Sequence, residues 1–136
     1  MIAAEQLTIG YGETVILEDL DFTVPEGDVF AILGGSGSGK STLLRNLIGL
    51  DEPFGGRVLI DGSPPAQELG APHFGVLFQS GALFGSMTLA DNVALPMRKW
   101  TALDAEAIDV VVRAKLRLVG LEGFENHLPA ELSGGM

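Results

Sequence analysis

The chain has 136 residues, enough for one domain with an apolar core, and 46% of them are apolar while 19% are charged. Eighteen acidic residues against eight basic ones give a net charge of -10. This balance disfavours a surface for nucleic acid or anionic lipid, which needs lysine and arginine. The absence of cysteine excludes disulfides and thiolate metal sites within these residues. The composition predicts a soluble, acidic protein of a reducing compartment.

The first part of the chain is predicted to be rich in strands. Residues 5–11 and 15–24 read as extended segments joined by a turn at Gly12-Glu13, and the second segment alternates apolar and polar residues. Pro25-Glu26-Gly27 predicts another turn. The apolar run at 28–33 then predicts a buried strand.

Residues 34–42 satisfy the phosphate-binding pattern G-x-x-x-x-G-K-[ST]. Glycines let the backbone turn its N–H groups around a di- or triphosphate, Lys40 reaches the β- and γ-phosphates, and Ser41 offers a hydroxyl to Mg²⁺. The alternative is a flexible Gly/Ser linker, which would lack the preceding strand and the apolar helix predicted at 43–50. The predicted nucleotide-binding residues of this loop are Gly34, Gly35, Ser36, Gly37, Ser38, Gly39, Lys40, Ser41 and Thr42.

Further short elements follow the loop. Residues 52–56 are predicted to end the helix, and residues 57–62 to form a short strand that enters a turn. Residues 66–71 allow one helical turn. Residues 74–78 predict another buried strand, which ends at Gln79.

Two helices are predicted after residue 85. Residues 88–91 fit a capping box that opens a helix through Leu95, with Pro96 as its stop. Residues 101–104 open the next helix, which runs to Val119.

One face of this second predicted helix is apolar, with Gly120 just beyond its end. An ion pair one turn apart, between Asp109 and Arg113, supports it. The apolar face comprises Ile108, Val112, Leu116 and Val119.

Three further features are candidates for a site. Tyr11 precedes the loop at a distance suited to stacking on a nucleobase, although a core or hairpin aromatic is the alternative. Gln79 has an amide oxygen that suits a metal ion or a water, although it also fits a plain strand end. Residues 132–136, LSGGM, fit either a ligand-binding motif or an ordinary loop.

Together these residues resemble the ABC-transporter ATPases over essentially the whole chain. In that resemblance residues 34–42 are the Walker A segment, Tyr11 the adenine-stacking A-loop, and Gln79 the Q-loop. Residues 132–136 are similar to the LSGGQ signature, with Met136 in the glutamine position. The resemblance implies an α/β P-loop NTPase fold, with a RecA-like core and antiparallel β subdomain at 1–85 and a helical subdomain at 86–136.

The resemblance also implies the cofactors, partners and location. ATP binds with Mg²⁺, which Ser41 and Gln79 would ligate, and Gln79 would also take part in catalysis. Two ATPs are sandwiched in a homodimer, where Ser133, Gly134 and Gly135 of one subunit complete the site over the P-loop of the other. The implied partners are transmembrane permease subunits and not nucleic acid. The implied location is cytoplasmic, peripheral to the inner membrane.

Two motifs indicate a subfamily. LFQSGALF at 77–84 and LSGGM at 132–136 are similar to the Mce-associated, or Mla-type, phospholipid-transport ATPases. This resemblance implies transport of phospholipids or other lipids across the cell envelope.

The family's Walker B pair and switch histidine follow the signature, so the chain is expected to be truncated at its C-terminus. Residues 58–61 resemble a Walker B strand only superficially, and we interpret them as a hairpin strand. Neither His73 nor His127 matches the switch position. We therefore expect ATP hydrolysis by the intact protein and inactivity of these residues alone. The alternatives are a non-hydrolysing nucleotide-binding fragment and a soluble ABC ATPase of DNA repair or translation.

Overall fold

The computed structural model describes residues 1–65, 74–79 and 81–136. The chain divides into two compact units, a first unit at 1–69 and a second unit at 70–136, and each is described by itself. None of the helices in the described ranges has the length and apolar character needed to cross a membrane. The helical turn predicted at 66–71, like His73, lies outside the described residues.

The first unit contains a three-stranded antiparallel sheet in the order β2-β1-β3. Strands β1 (Ile2–Tyr11) and β2 (Thr14–Val24) form a hairpin around the turn at Gly12-Glu13, as the sequence predicts. Strand β3 (Gly55–Ile60) pairs antiparallel with the other side of β1. The strand predicted near residue 57 is therefore confirmed as part of an antiparallel sheet.

Helix α1 (Lys40–Leu47) packs on this sheet and confirms the helix predicted after the glycine-rich loop. It ends three residues before the predicted limit, because Gly49 adopts a φ of 70°. The N–H groups of Leu50 and Asp51 both donate to the Arg45 carbonyl oxygen. Two hydrogen bonds between the Arg45 guanidinium and Asp51, at 2.7 and 2.8 Å, fix the same turn. The buried residues between α1 and the sheet, the first core, are Ala4, Leu7, Ile9, Leu43, Leu47 and Val58.

The sequence-based prediction of two buried strands, at 28–33 and 74–78, is wrong. Both segments lack regular secondary structure, and Val29, Leu33 and Leu77 are 98%, 87% and 95% exposed. An apolar run forms a buried strand only where neighbouring strands take up its backbone N–H and C=O groups. Within the described residues no strand pairs with either segment. In the first segment Phe30 stacks on Phe22, and Ile32 packs against the first core.

The second unit is built on α2 (Leu89–Trp100) and α3 (Ala105–Leu118). The Thr88 hydroxyl accepts a hydrogen bond from the Asp91 N–H at 3.1 Å, which confirms the predicted start of α2. Pro96 does not stop this helix, which continues to Trp100. A proline inside a helix costs about 3 kcal/mol. The turn that follows Pro96 nevertheless places Met97 against the apolar residues of the second unit.

Helix α3 begins later than predicted. Asp104, and not Thr101, is its N-cap, since the Asp104 carboxylate accepts from the Ala107 N–H at 2.8 Å. Thr101 instead ends α2, where its hydroxyl donates to the Met97 carbonyl oxygen at 2.7 Å.

The predicted apolar face of α3 is correct for three of its four residues. Val119 is exposed, because the helix ends at Leu118 and Val119 leaves the helical path. The predicted ion pair between Asp109 and Arg113 is confirmed, with an N–O distance of 2.9 Å. The buried residues between the two helices, the second core, are Leu89, Ala94, Ile108, Val112 and Leu116.

Candidate nucleotide-binding site

The glycine-rich loop leads directly into the N-terminus of α1. Its residues 36–39 form a turn in which the Ser38 N–H donates to the Gly35 carbonyl oxygen at 3.4 Å. Gly39 caps the helix in a left-handed conformation, with φ 88°, and no side chain caps the first turn. The first N–H groups of a helix have no partner within it, and they carry the positive end of its dipole. The loop therefore ends in a site that suits an anion.

Lys40 spans this loop. Its Nζ donates to the Gly35 carbonyl oxygen at 2.6 Å and lies 3.4 Å from the Ser38 hydroxyl. Both partners are neutral, and among the described residues no carboxylate forms an ion pair with Lys40. The ammonium charge thus remains uncompensated beside the open helix end, which favours an anionic ligand.

The loop rests on strand β2. A Cβ added to Gly39 would lie 2.7 Å from Ile16 Cγ2 and 3.4 Å from Leu17 Cδ1. Ile16 and Leu17 therefore support the loop, a role that the sequence analysis missed. The sequence does carry a signal for this contact, because three consecutive apolar residues, Val15-Ile16-Leu17, interrupt the two-residue alternation of an exposed strand.

The hydroxyl groups that follow Lys40 differ in their surroundings. Ser41 is exposed in the first turn of α1, so its hydroxyl is free to approach a phosphate-bound cation. Thr42 is half-buried, and its carbonyl oxygen accepts from the Asn46 amide at 2.9 Å inside the helix. A hydroxyl suits Mg²⁺, which prefers oxygen ligands and retains several waters. The donor set at Ser41 therefore fits Mg²⁺ brought in with phosphates.

Tyr11 is 82% exposed at the end of β1, which rules out the core alternative for this aromatic residue. It follows Leu7 and Ile9 at two-residue spacing, and both of these side chains belong to the first core beneath α1. The ring therefore lies at the end of the sheet face that α1 covers. Its exposed face is free to stack on a planar ligand.

The remaining predicted site residues belong to the second unit. Gln79 is exposed in a segment without regular structure. Ser133, Gly134 and Gly135 are also exposed, in a turn closed by a 2.9 Å hydrogen bond from the Met136 N–H to the Ser133 carbonyl oxygen. Leu132, immediately before this turn, packs against the second core. The core thus anchors one end of the turn and leaves its polar residues exposed.

Comparison with known proteins supports the family that these motifs resemble. The profile of the ABC transporter family matches residues 17–136. The probable ribonucleotide transport ATP-binding protein mkl of Mycobacterium tuberculosis H37Rv is 48% identical over 141 residues, which cover 99% of this chain and 39% of mkl. The intermembrane phospholipid transport system ATP-binding protein MlaF of Escherichia coli K12 is 44% identical, over 92% of this chain and 49% of MlaF.

Solved structures agree with this result. The dimeric bacterial ABC transporter cassette MJ0796 has a TM-score of 0.81 and 32% identity, over 98% of this chain and 64% of that one. The same cassette in a post-hydrolysis state with ADP and Pi has a TM-score of 0.78 and 30% identity. This chain therefore spans less than two thirds of the length of each of these proteins.

The fold predicted from the sequence is thereby confirmed as the P-loop NTPase fold of ABC ATPase cassettes, represented here by the antiparallel sheet, α1 and the helical unit. The similarity to the Mla-type ATPases is confirmed as well. On the evidence of the family match and the fold together, the chain belongs to the ABC transporter family of ATP-binding proteins.

Proposed function

We propose that the loop at 34–42 binds the phosphates of ATP, and that the chain is the nucleotide-binding part of an ATP-driven transporter subunit. One observation carries this proposal. The Lys40 ammonium, which has no ion-pair partner among the described residues, lies at the N-terminus of α1, and no side chain caps that first turn. Loop N–H groups and Lys40 contact the phosphates, and Tyr11 stacks on the adenine. Ser41 and Gln79 would hold Mg²⁺, which would neutralise phosphate charge when bound.

Hydrolysis and dimerisation extend this proposal to the intact protein. Hydrolysis and dimerisation are supported by the similarity to the cassette MJ0796, which was solved as a dimer and in a state with ADP and Pi. Two copies bind head to tail, so that Ser133, Gly134 and Gly135 of one copy contact the γ-phosphate held by the other. Gln79 orients the attacking water and registers whether the γ-phosphate is present. The domain division expected at residue 85 remains part of this proposal.

The proposed cargo is phospholipid, moved by permease subunits to which the ATPase binds on the cytoplasmic side of the inner membrane. Support comes from the 44% identity to MlaF and from the LFQSGALF and LSGGM motifs. Mkl is described as a probable ribonucleotide transport protein, and a sulfate/thiosulfate import protein is 43% identical. Ribonucleotides and sulfate or thiosulfate are therefore the competing cargo classes.

The nucleotide site is tested by thermal melts of this chain with and without Mg-ATP. A ligand at ~100 times its Kd should stabilise the wild-type chain by about 2.7 kcal/mol, and Lys40→Ala should remove most of the shift. Lys115→Ala is the matched control, since Lys115 is exposed on α3. An equal shift in Lys40→Ala would contradict the assigned role of the loop.

The cargo is tested with the full-length protein and its permease in vesicles. ATP-dependent movement of labelled phospholipid, absent in Lys40→Ala, is the expected result. ATPase activity stimulated by a ribonucleotide or by sulfate, without phospholipid movement, would overturn the lipid assignment while leaving the ATPase assignment intact.

A further inference from the structure

Gly10 lies in β1 directly before the exposed Tyr11, and an aromatic ring covers its backbone. A Cβ added to Gly10 would lie 2.5 and 2.9 Å from Phe54 Cε2 and Cζ, and it would collide with the Thr14 carbonyl oxygen. The Phe54 ring therefore occupies the space that a side chain at residue 10 would take. Glycine weakens a strand because it has no side chain to pack, and an aromatic ring from a neighbouring strand restores that packing.

The backbone of Phe54 is bound to the same strand. Its N–H donates to the Thr8 carbonyl oxygen at 2.8 Å, and the next residue, Gly55, pairs with Thr8. In the part of the chain that the structure describes, this is the last register position between β3 and β1 before the end of β1. The Phe54 ring thus extends the contact along β1 to Gly10, past the point where the pairing with β3 stops.

The pairing of β1 with β2, on its other edge, is irregular at the same place. The register shifts between Ile9 and Gly10, and Tyr11 then pairs with Thr14 across the turn at Gly12-Glu13. A register shift of this kind bends a strand and increases its local twist. Because Tyr11 follows the shift, the direction of its ring depends on how the Gly10 backbone is held.

Tyr11 also lies near the turn that leads from α1 towards Phe54. The pKa of Arg45 is raised above its usual value, first by the hydrogen bond to Asp51 and by the charge of that carboxylate, and to a smaller degree by the Tyr11 phenol. The connection between α1 and β3 therefore approaches the end of β1 at two points, the Tyr11 phenol and the Gly10 backbone.

We infer that Phe54 is a positioning residue that holds Tyr11 ready to stack on the base of the nucleotide. Its ring packs on Gly10 and fixes the end of β1 before the ligand arrives, so less conformational freedom is lost on binding. The inference rests on the proposed function, in which Tyr11 stacks on adenine. Phe54 is itself 48% exposed, so its burial contributes only part of the stability that a core phenylalanine would.

The experiment uses the full-length protein and two ligands, ADP and inorganic pyrophosphate, titrated by calorimetry. Both ligands carry a diphosphate for the loop at 34–42, and only ADP carries a nucleoside. The ratio of the two dissociation constants therefore measures what the nucleoside adds to binding. Melting curves of every variant set a temperature for the titrations at which all of them are folded.

The variants change Phe54 with and without its proposed target. Phe54→Ala removes the ring, Phe54→Tyr keeps it, and Phe54→Ala is also made in the Tyr11→Ala background. Leu50→Ala is the matched control, because Leu50 lies in the same connection between α1 and β3 and is 51% exposed. Neither side chain belongs to the buried residues of the first core.

Phe54→Ala should weaken ADP binding by roughly five-fold or more, the lower end of what a base stacked on an aromatic side chain contributes. Its affinity for pyrophosphate should equal that of the wild type. Phe54→Tyr and Leu50→Ala should keep the wild-type ratio of the two dissociation constants. In the Tyr11→Ala background, Phe54→Ala should cause no further loss, because the ring acts through Tyr11.

Three results would overturn the inference: equal weakening of both ligands in Phe54→Ala, a ratio like that of the wild type, or a further loss of ADP affinity in the Tyr11→Ala background. Failure of the proposed function looks different. If Tyr11→Ala alone leaves the ratio unchanged, base stacking on Tyr11 fails and this inference with it, while the phosphate site stands. If the wild-type protein binds neither ligand, the nucleotide site itself is refuted.

Discussion

The two units of this protein fix their functional residues in different ways. In the second unit the helices begin where neighbouring side chains satisfy their first N–H groups, as Thr88 and Asp104 do. In the first unit the phosphate-binding loop rests on Ile16 and Leu17, which are distant in sequence from Gly39. Local signals were therefore sufficient for most of the helical unit, while the loop depends on long-range packing.

The same contrast explains the exposed apolar segments. Helices satisfy their own backbone, so α2 and α3 needed only one face each to form a core. A strand needs a neighbour, and the segment at 28–33 has none within the described residues. Strand propensity without a pairing partner leaves most of the run at 29–33 exposed, including Val29 and Leu33.

The largest expected effect is the loss of stability when a core leucine is shortened, and it tests whether the two units unfold separately. Leu7→Ala in the first core and Leu116→Ala in the second should each destabilise their own unit by roughly 2–5 kcal/mol. Amide exchange followed by mass spectrometry should show faster exchange only in the unit that carries the substitution. Leu77→Ala, at an exposed position, is the control and should change little. Equal acceleration in both units would show that they unfold together.

The second prediction concerns the support of the loop by β2. Gly39→Ala should remove nucleotide binding, because its φ of 88° costs about 1–2 kcal/mol for a residue with a Cβ and the new methyl would lie 2.7 Å from Ile16 Cγ2. Gly75→Ala is the matched control, since a Cβ there meets no atom within 4 Å and Gly75 lies outside the phosphate-binding loop. Titration with a fluorescent ATP analogue measures both. Wild-type affinity in Gly39→Ala would mean that β2 does not constrain the loop.

A smaller effect tests which residue caps α3. Asp104→Ala should destabilise the second unit by about 1 kcal/mol, the usual value of an N-cap side chain, because the Ala107 N–H loses its acceptor. Thr101→Ala should cost less, since its hydroxyl bonds a carbonyl at the end of α2. Urea denaturation followed by circular dichroism compares the two. A larger loss in Thr101→Ala would favour the start of α3 that the sequence predicted.

The smallest expected effect is a pH dependence at the start of α2. Hydrogen bonds from the Thr88 hydroxyl and then from Arg98 lower the pKa of Asp91 below its usual value. A lowered pKa in the folded state gives stability that is present above the unfolded pKa of about 3.9 and is lost as the pH falls through the lowered value.

Asp91→Asn should therefore reduce the fall in melting temperature that occurs as the pH is lowered from neutral. Asp109→Asn is the control for removing an exposed ion-paired carboxylate, because Asp109 pairs with Arg113 in the middle of α3. If the melting temperature of Asp91→Asn falls with pH as steeply as that of the wild type, this carboxylate does not contribute to the pH dependence.

Several features of the site could be predicted from the sequence. The spacing of residues 34–42 predicted a loop that enters a helix, and α1 begins at Lys40 within it. The position of Tyr11 at the end of a hairpin strand left its ring exposed, as stacking requires. The roles of Gln79 and of Ser133, Gly134 and Gly135 stay predictions, since their exposure makes them accessible to a ligand without identifying one.

By itself, the sequence determined the elements whose signals are local: the hairpin turn at Gly12-Glu13, the phosphate-binding pattern, and the cap at Thr88. These depend on backbone conformations and hydrogen bonds between near neighbours, which residue type specifies directly. Only the tertiary structure decided that α2 continues through Pro96, that Ile16 supports Gly39, and that the 125–127 loop binds the N-terminus of α2. These features depend on packing and on hydrogen bonds between distant segments, whose free energies outweigh local preference and have no fixed spacing in the sequence.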